Sequence, residues 1–210
     1  TSKLEPVPVK ISNNYEGTNV VGVSCGNGHT LILLNTGEVH GFGYNDVGSL
    51  GNGVISGTYY QPTPLATTHP TGLRNCNYDG TNAVAIATGH NLSLMLLNTG
   101  ELHVFGNNNR SDWLKPGTSL TPDQSSPLAI YHTPTPLDES NNYNTTNAVS
   151  MACSKHHTIV LLNTGEVHTF GHNQSTGESW SATDGKLGTG NLTHQSKLVP
   201  VKVVNNYNGE

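Results

Sequence analysis

Three apolar runs, "LILL" (31–34), "LMLL" (94–97) and "IVLL" (159–162), recur along the 210-residue chain. Each ends on or runs into a Leu followed by "NTGE", and then come stretches that mix apolar and polar residues, "EVHGFG", "ELHVFG" and "EVHTFG". Runs of six to eight residues suit strands rather than helices, and no 3.6-residue period appears anywhere. "NTG" between two such runs predicts a three-residue hairpin loop whose last position is left-handed. Gly37, Gly100 and Gly165 fill it without the clash a β-carbon would bring, so backbone geometry alone accounts for the triplet. Upstream, "TNVVGVSC" and "TNAVSMAC" supply a further short strand. "PVPVK" and "PTPL" read as strands entered through prolines, which lack an amide donor and belong at a sheet edge. The expectation is about four strands per unit.

The cores at 23–43, 86–106 and 151–171 are offset by 63 and 65 residues, and each is preceded by a second shared signal, "NNYEGTNVV" (13–21), "CNYDGTNAV" (76–84) or "NNYNTTNAV" (141–149). A period of this size signals a tandem array, in which a unit cannot bury its own faces and stacks on its neighbours. The division expected is unit one at 1–75, unit two at 76–140 and unit three at 141–195. The tail "SKLVPVKVVNNYNGE" (196–210) resembles residues 2–18 and reads as the start of a further unit. Such an overhang suggests a window through a longer array, or a subunit whose ends join head to tail.

Composition narrows the partners. Charged residues make up 11% of the chain, and the nine Lys and Arg are scattered singly, so no basic stripe exists to neutralise phosphates. Nucleic acid is not an expected partner. The longest aliphatic runs are four residues, far below the roughly 20 that span a bilayer, so no membrane insertion is expected. The net charge of −5 would be cancelled by protonating about half of the eleven histidines, which concerns solubility rather than mechanism.

"GEVHGFGYNDVGSLGNG" (37–53), the proline strand after it and "VSCGNGHTLILL" (23–34) resemble the repeat of the regulator-of-chromosome-condensation family. Unit one matches through Gly37, Phe42, Gly43, Asn45, Gly48, Leu50, Gly51, Cys25, Gly26 and His29. Unit three keeps "GEVHTFGHN" and "GKLGTG" around an insertion, whereas unit two carries "SDWLKPGTSL" in place of the glycine-leucine-glycine loop. The resemblance implies an all-β chain of tandem four-stranded blades of β-propeller type, three units and a partial fourth. Such a row can be an open array or polymer as well as part of a closed seven-bladed ring. Members of the family include exchange factors for a small GTPase, chromatin binders and light receptors, so the fold does not choose among them. An inserted acidic wedge, a basic arm and a tryptophan cluster are all missing from the sequence; the two tryptophans, Trp113 and Trp180, fall in loops.

His40, His103 and His168 stand where the family usually has an aromatic, as Phe42, Phe105 and Phe170 mark its second one. If Leu34 pairs with Glu38, Ile32 faces His40, Met95 faces His103 and Val160 faces His168. Equivalent positions on adjacent blades lie too far apart to share an ion, so packing is the expected role and no metal or cofactor is expected. His29 and His157 have Leu92 as their counterpart in unit two, which also argues for packing. "GVSCG" (22–26) copies a serine-hydrolase pattern, yet no helix follows and the other units lack the serine, so no catalytic residue is expected. Cys25 and Cys153 are expected to pack as small apolar residues on inner strands, and Cys76 to be exposed. Among the sequons, Asn109, Asn144, Asn173 and Asn191 lie in predicted loops and are candidate glycosylation sites, while Asn91 leads straight into a strand.

The low charge, the Asn-, Thr-, Ser- and Gly-rich loops and the overhang lead to one functional expectation. It is a non-enzymatic repeat module of an extracellular or surface assembly, fibre-like or adhesive, whose partner is itself or another protein. The alternative is a cytoplasmic propeller that binds a protein partner, with regulation of a small GTPase as one form of it.

Overall fold

The computed structural model describes residues 8–9, 14–55, 57–67, 77–108, 129–136, 144, 146–155, 157–171 and 195–200. Twelve strands occur among them. The first sheet holds β1 (Val20–Cys25), β2 (His29–Leu34), β3 (Val39–Tyr44) and β4 (Thr58–Pro64). The second holds β5 (Ala83–Thr88), β6 (Leu92–Leu97), β7 (Leu102–Asn108) and β8 (Ala129–Pro136). The third holds β9 (Ala148–Cys153), β10 (His157–Leu162), β11 (Val167–Gly171) and β12 (Gln195–Pro200). Every sheet is antiparallel with its strands in chain order, so the expected four strands per unit are present. The proline strands β4, β8 and β12 take one edge of each sheet, and β1, β5 and β9 take the other, where β1 touches β5 and β5 touches β9. No closed barrel forms among the described residues.

β12 straddles the boundary expected at 195/196. It is hydrogen-bonded to β11, with His168 opposite Pro200, so the strand read as the head of a further unit completes the third sheet. The physical reason is that the proline strand follows its hairpin in sequence and pairs backwards onto it, as β4 and β8 do.

The hairpin register follows from the loop length. The Leu34 amide donates to the Glu38 carbonyl, and Ile32 pairs with His40, Met95 with His103 and Val160 with His168. Inner strands carry a repeated irregularity. Val21, Val84 and Val149 each fall in a gap of the ladder, between Val20 and Gly22, Ala83 and Ala85, and Ala148 and Ser150. An extra residue of this kind is a β-bulge, which turns its own side chain away from the ladder, and all three valines are exposed.

Alternation along the central strands gives each sheet two apolar faces. Leu31, Leu33 and Val39 of the first blade meet Tyr78, Met95, Leu97 and Phe105 of the second in one core. Leu94, Leu96 and Leu102 on the far face of the second blade meet Val160, Leu162 and Phe170 of the third. Burying one such aliphatic side chain stabilises by about 1.5–3 kcal/mol, which makes the joints between blades the principal cores of the described structure.

The glycine of "NTG" has a second duty that geometry within one hairpin does not show. Gly37 and Gly100 have φ of 84° and 85°, as the loop requires. A β-carbon on Gly37 would also lie 1.8 Å from the carbonyl oxygen of Thr81, and one on Gly100 2.0 Å from that of Thr146, because the next unit's entry turn rests on the hairpin tip. Across this contact the Ala83 amide donates to the Gly37 carbonyl and the Ala148 amide to the Gly100 carbonyl. Gly165 has the same φ, 84°, and no described residue lies within 4 Å of its missing β-carbon. Gly165→Ala therefore carries only left-handed strain, about 1–2 kcal/mol. Gly37→Ala and Gly100→Ala add overpacking of about 1–3 kcal/mol each. Urea unfolding of the three variants checks this, and equal losses at all three positions would remove the docking role.

Candidate functional site

The entry turn "N-Y-x-(G/T)-T-N" is what the hairpin tips receive, and its asparagines build it. In the first unit the Glu16 amide donates to Asn19 Oδ1 and Asn19 Nδ2 to the Asn14 carbonyl. The second repeats this with Asp79, Asn82 and Asn77, and in the third the Asn144 amide donates to Asn147 Oδ1. Asparagine suits the place because its side chain both donates and accepts. The tyrosine of the motif reaches into the neighbour, as the Val39 amide donates to the Tyr78 hydroxyl at 2.9 Å. Sequence reasoning found this signal as a recurring string and gave it no role. A tyrosine repeated at one position ahead of a strand was the available clue.

His40, His103 and His168 are fully buried, on three separate sheets. Each sits between an aliphatic residue on one neighbouring strand and a proline on the other, as His40 does between Ile32 and Pro64. Neither ring nitrogen of His40 has a hydrogen-bond partner among the described residues, and burial holds its pKa below the usual histidine range against a smaller opposing pull from Glu38. His168 Nε2 lies 3.5 Å from Glu166 Oε2. No group of three His, Cys, Asp or Glu side chains that could hold a metal ion occurs among the described residues. Phe105 and Phe170 are buried and Phe42 is half-buried.

His29 does more than fill space. Its Nε2 lies 2.8 Å from Ser93 Oγ on the second blade, and Ser93 donates to the Ser49 carbonyl at 2.8 Å. Ser93 has one hydroxyl hydrogen and gives it to Ser49, so His29 donates to it from Nε2. Gly26 leaves room for the ring, since a β-carbon there would sit 2.6 Å from Nδ1. Burial, and secondly His90, lower the His29 pKa to about 4. The joint between the second and third blades replaces this polar bridge with Leu92, which packs on the shared core, while Thr158 lies 3.2 Å from Cys153 Sγ within its own blade.

Cys25 is exposed, contrary to the expected packing, because it lies on the same outward-facing alternation as Val21 and Val23 at the end of β1. Cys153 is half-buried, and desolvation pushes its thiol up to about 11, which makes it a poor nucleophile. Asn144 is exposed, and its Oδ1 accepts from the Thr146 amide and hydroxyl. Cys76, Trp113, Trp180, Asn109, Asn173 and Asn191 lie outside the described residues.

One described surface combines rigidity with exposed apolar side chains. In the loop between β3 and β4, fully buried Asn45 accepts from the Leu50 amide and donates to Asn52 and the Val54 carbonyl, while Asp46 accepts from the Gly57 amide. This knot holds out Tyr44, Val54 and Ile55, each a little over 40% exposed, and Tyr60 on β4 is 89% exposed. The base of the same loop locks onto the second blade, because Phe105 occupies the space a β-carbon on Gly51 would need.

Stacked four-stranded antiparallel sheets with neighbouring inner strands define a row of β-propeller blades. The family model for the Regulator of chromosome condensation (RCC1) repeat matches residues 20–49, in the first blade, and 148–176, in the third. A human "RCC1-like G exchanging factor-like protein" is 33% identical over 104 residues, 49% of this chain and 21% of that protein. The Arabidopsis thaliana ultraviolet-B receptor UVR8 is 26% identical over 199 residues, 94% of this chain and 37% of that protein. The chain thus spans between a fifth and two fifths of these relatives. Among solved structures, Prp20p of Saccharomyces cerevisiae superposes with a TM-score of 0.63 at 18% identity, covering 89% of this chain and 39% of that one, which establishes likeness of fold.

The His29 bridge yields a pH dependence. A folded pKa of about 4 against an ordinary 6.5 means the unfolded chain binds the proton first, so stability is complete above pH 6.5 and falls as pH drops towards 4. The loss approaches about 3 kcal/mol, and the lowered His40 pKa acts in the same direction. Denaturant midpoints at pH 7, 5.5 and 4.5 should decline for the native sequence and decline less for His29→Gln; identical slopes would refute the assignment.

Proposed function

We propose that this chain is a protein-binding module of RCC1 type whose contact surface is the knotted loop of the first blade. The observation that carries the reading is a set of four exposed apolar side chains, Tyr44 at the end of β3, Val54 and Ile55 on the loop and Tyr60 on β4, around a loop fixed by a fully buried asparagine. Exposed aromatic and aliphatic side chains on a rigid support lose little entropy on docking and are the residue types that dominate binding energy. Variable loops on a constant scaffold are also where repeat proteins place recognition.

The relatives support this reading over the extracellular assembly suggested by composition. One is described as an exchanging factor, another as a receptor, and the structure of Prp20p is described with its binding to Gsp1p and histones; none is described as an extracellular fibre. A small GTPase is accordingly the partner class to test first, with a cytoplasmic setting. Nucleotide exchange breaks no covalent bond, so such a role asks for no catalytic group on this chain.

Titration calorimetry of the chain against a purified Ran-type GTPase, in nucleotide-bound and nucleotide-free forms, tests the reading. Binding should weaken at least about tenfold in Tyr60→Ser combined with Ile55→Ser, the loss expected of a hot-spot pair. Binding that ignores both substitutions would displace the patch, and absence of binding to either form would remove the GTPase reading.

A further inference from the structure

Asparagine is chemically labile, and most so when glycine follows it. Glycine's nitrogen is unshielded by a side chain, and its backbone reaches conformations that bring that nitrogen onto the asparagine side chain. The sequence holds three such pairs, Asn27–Gly28, Asn52–Gly53 and Asn208–Gly209, the last outside the described residues. The fold treats the first two in opposite ways.

Asn52 is half-buried in the loop between β3 and β4. Its Oδ1 accepts from Asn45 Nδ2 at 3.0 Å and from the Val54 amide at 3.4 Å. Fully buried Asn45 in turn donates to the Val54 carbonyl and accepts from the Leu50 amide, so swinging the Asn52 side chain onto Gly53 would undo the knot that shapes the loop. Asn27 has no such restraint. It and Gly28 form the exposed tip of the turn between β1 and β2. Among the described residues the Asn27 side chain makes no hydrogen bond and the Gly28 amide donates none, although the Gly28 carbonyl accepts from the Tyr44 amide at 2.8 Å. The openness belongs to the position itself, because the counterpart in the second blade, His90, is only half-buried with a blade on either side of it.

We propose that Asn27 is a site of self-modification, converting through Gly28 to aspartate and isoaspartate in the folded chain while Asn52 is spared. The Gly28 nitrogen attacks Asn27 Cγ, the new N–Cγ bond forms, the Cγ–Nδ2 bond breaks, and ammonia leaves with the amide proton of Gly28. Solvent water then adds across one carbonyl–nitrogen bond of the resulting cyclic imide. Opening at Cγ gives aspartate, and opening at the main-chain carbonyl gives isoaspartate, in which the main chain runs through the side chain and is longer by the β-carbon. The added length falls at a seam. The Asn27 amide donates to the His90 carbonyl of the second blade at 3.1 Å, and the adjoining Gly26 leaves the room in which the His29 ring sits. Isoaspartate at this place shifts both, so the first joint loosens, whereas aspartate keeps the original main chain. The loop that holds Asn52 is untouched, so the change is separate from partner binding at Tyr60.

Incubation of the full folded chain at mildly alkaline pH, followed by peptide mapping and enzymatic methylation of isoaspartate, tests the proposal. Isoaspartate should accumulate at Asn27 and not at Asn52, and the same incubation in urea should convert both, since the fold alone protects Asn52. Conversion of Asn52 as fast as Asn27 in the folded chain would overturn the proposal, as would an Asn27 that converts only in urea. Urea unfolding of the separated forms reads the consequence. The isoaspartyl form should have a lower midpoint than the native chain, and freshly prepared Asn27→Asp, which carries the charge without the longer main chain, should stay near the native value. Asn27→Ser should keep its midpoint throughout the incubation. An isoaspartyl form as stable as the native chain would remove the effect on the joint.

Discussion

Everything in this array rests on one backbone contact, the carbonyl of a hairpin glycine accepting from the amide that opens the next blade's inner strand. The contact is short because the glycine has no β-carbon, and it recurs at Gly37 with Ala83 and at Gly100 with Ala148. It fixes the spacing and angle at which the aliphatic faces meet, and those faces supply most of the stabilisation. A side chain at the tip would part the blades before it disturbed the turn. Sequence identity in "LLNTGE" is therefore maintained by an interface as much as by a loop.

Much of this was legible in the sequence, because four kinds of signal repeated in a fixed order. Strand count, the hairpin register and the edge position of the proline strands follow from period-two patterning, loop length and the missing proline amide. The histidine pairings followed as well, since a three-residue loop leaves only one register. Three things escaped. Strand β12 belongs to the third sheet although it looks like the start of a new unit, because a repeating string has no intrinsic phase and only hydrogen bonding chooses where a blade ends. Cys25 is exposed because the face of an inner strand that looks away from the next blade need not be covered. The role of Tyr78 depends on an amide in another unit, 39 residues away, which no local pattern encodes.

The candidate contact surface was less legible than the fold. Asn45 and the glycines of its loop were visible as family positions, yet which side chains the loop presents depends on the bonds Asn45 makes to Leu50, Asn52 and Val54. Tyr60 stood in an unremarked "TYYQ", and its exposure follows from its place on an edge strand, with β3 on one side of it alone.

The unequal chemistry of the two joints bears on how such a chain avoids assembling itself wrongly. Three cores this similar could in principle stack in the wrong order, and repeat proteins are prone to that error. His29 needs an acceptor, and Ser93 provides one because its own hydrogen is committed to Ser49; Thr158 is instead engaged by Cys153. A blade with leucine at the place of His29 would leave the Ser93 oxygen without its donor, and a blade with histidine at the place of Leu92 would bring a polar ring to the apolar second joint. The exchange of histidine for leucine thus makes one seam polar and the other apolar, so neighbouring seams of one array differ in the chemistry that closes them.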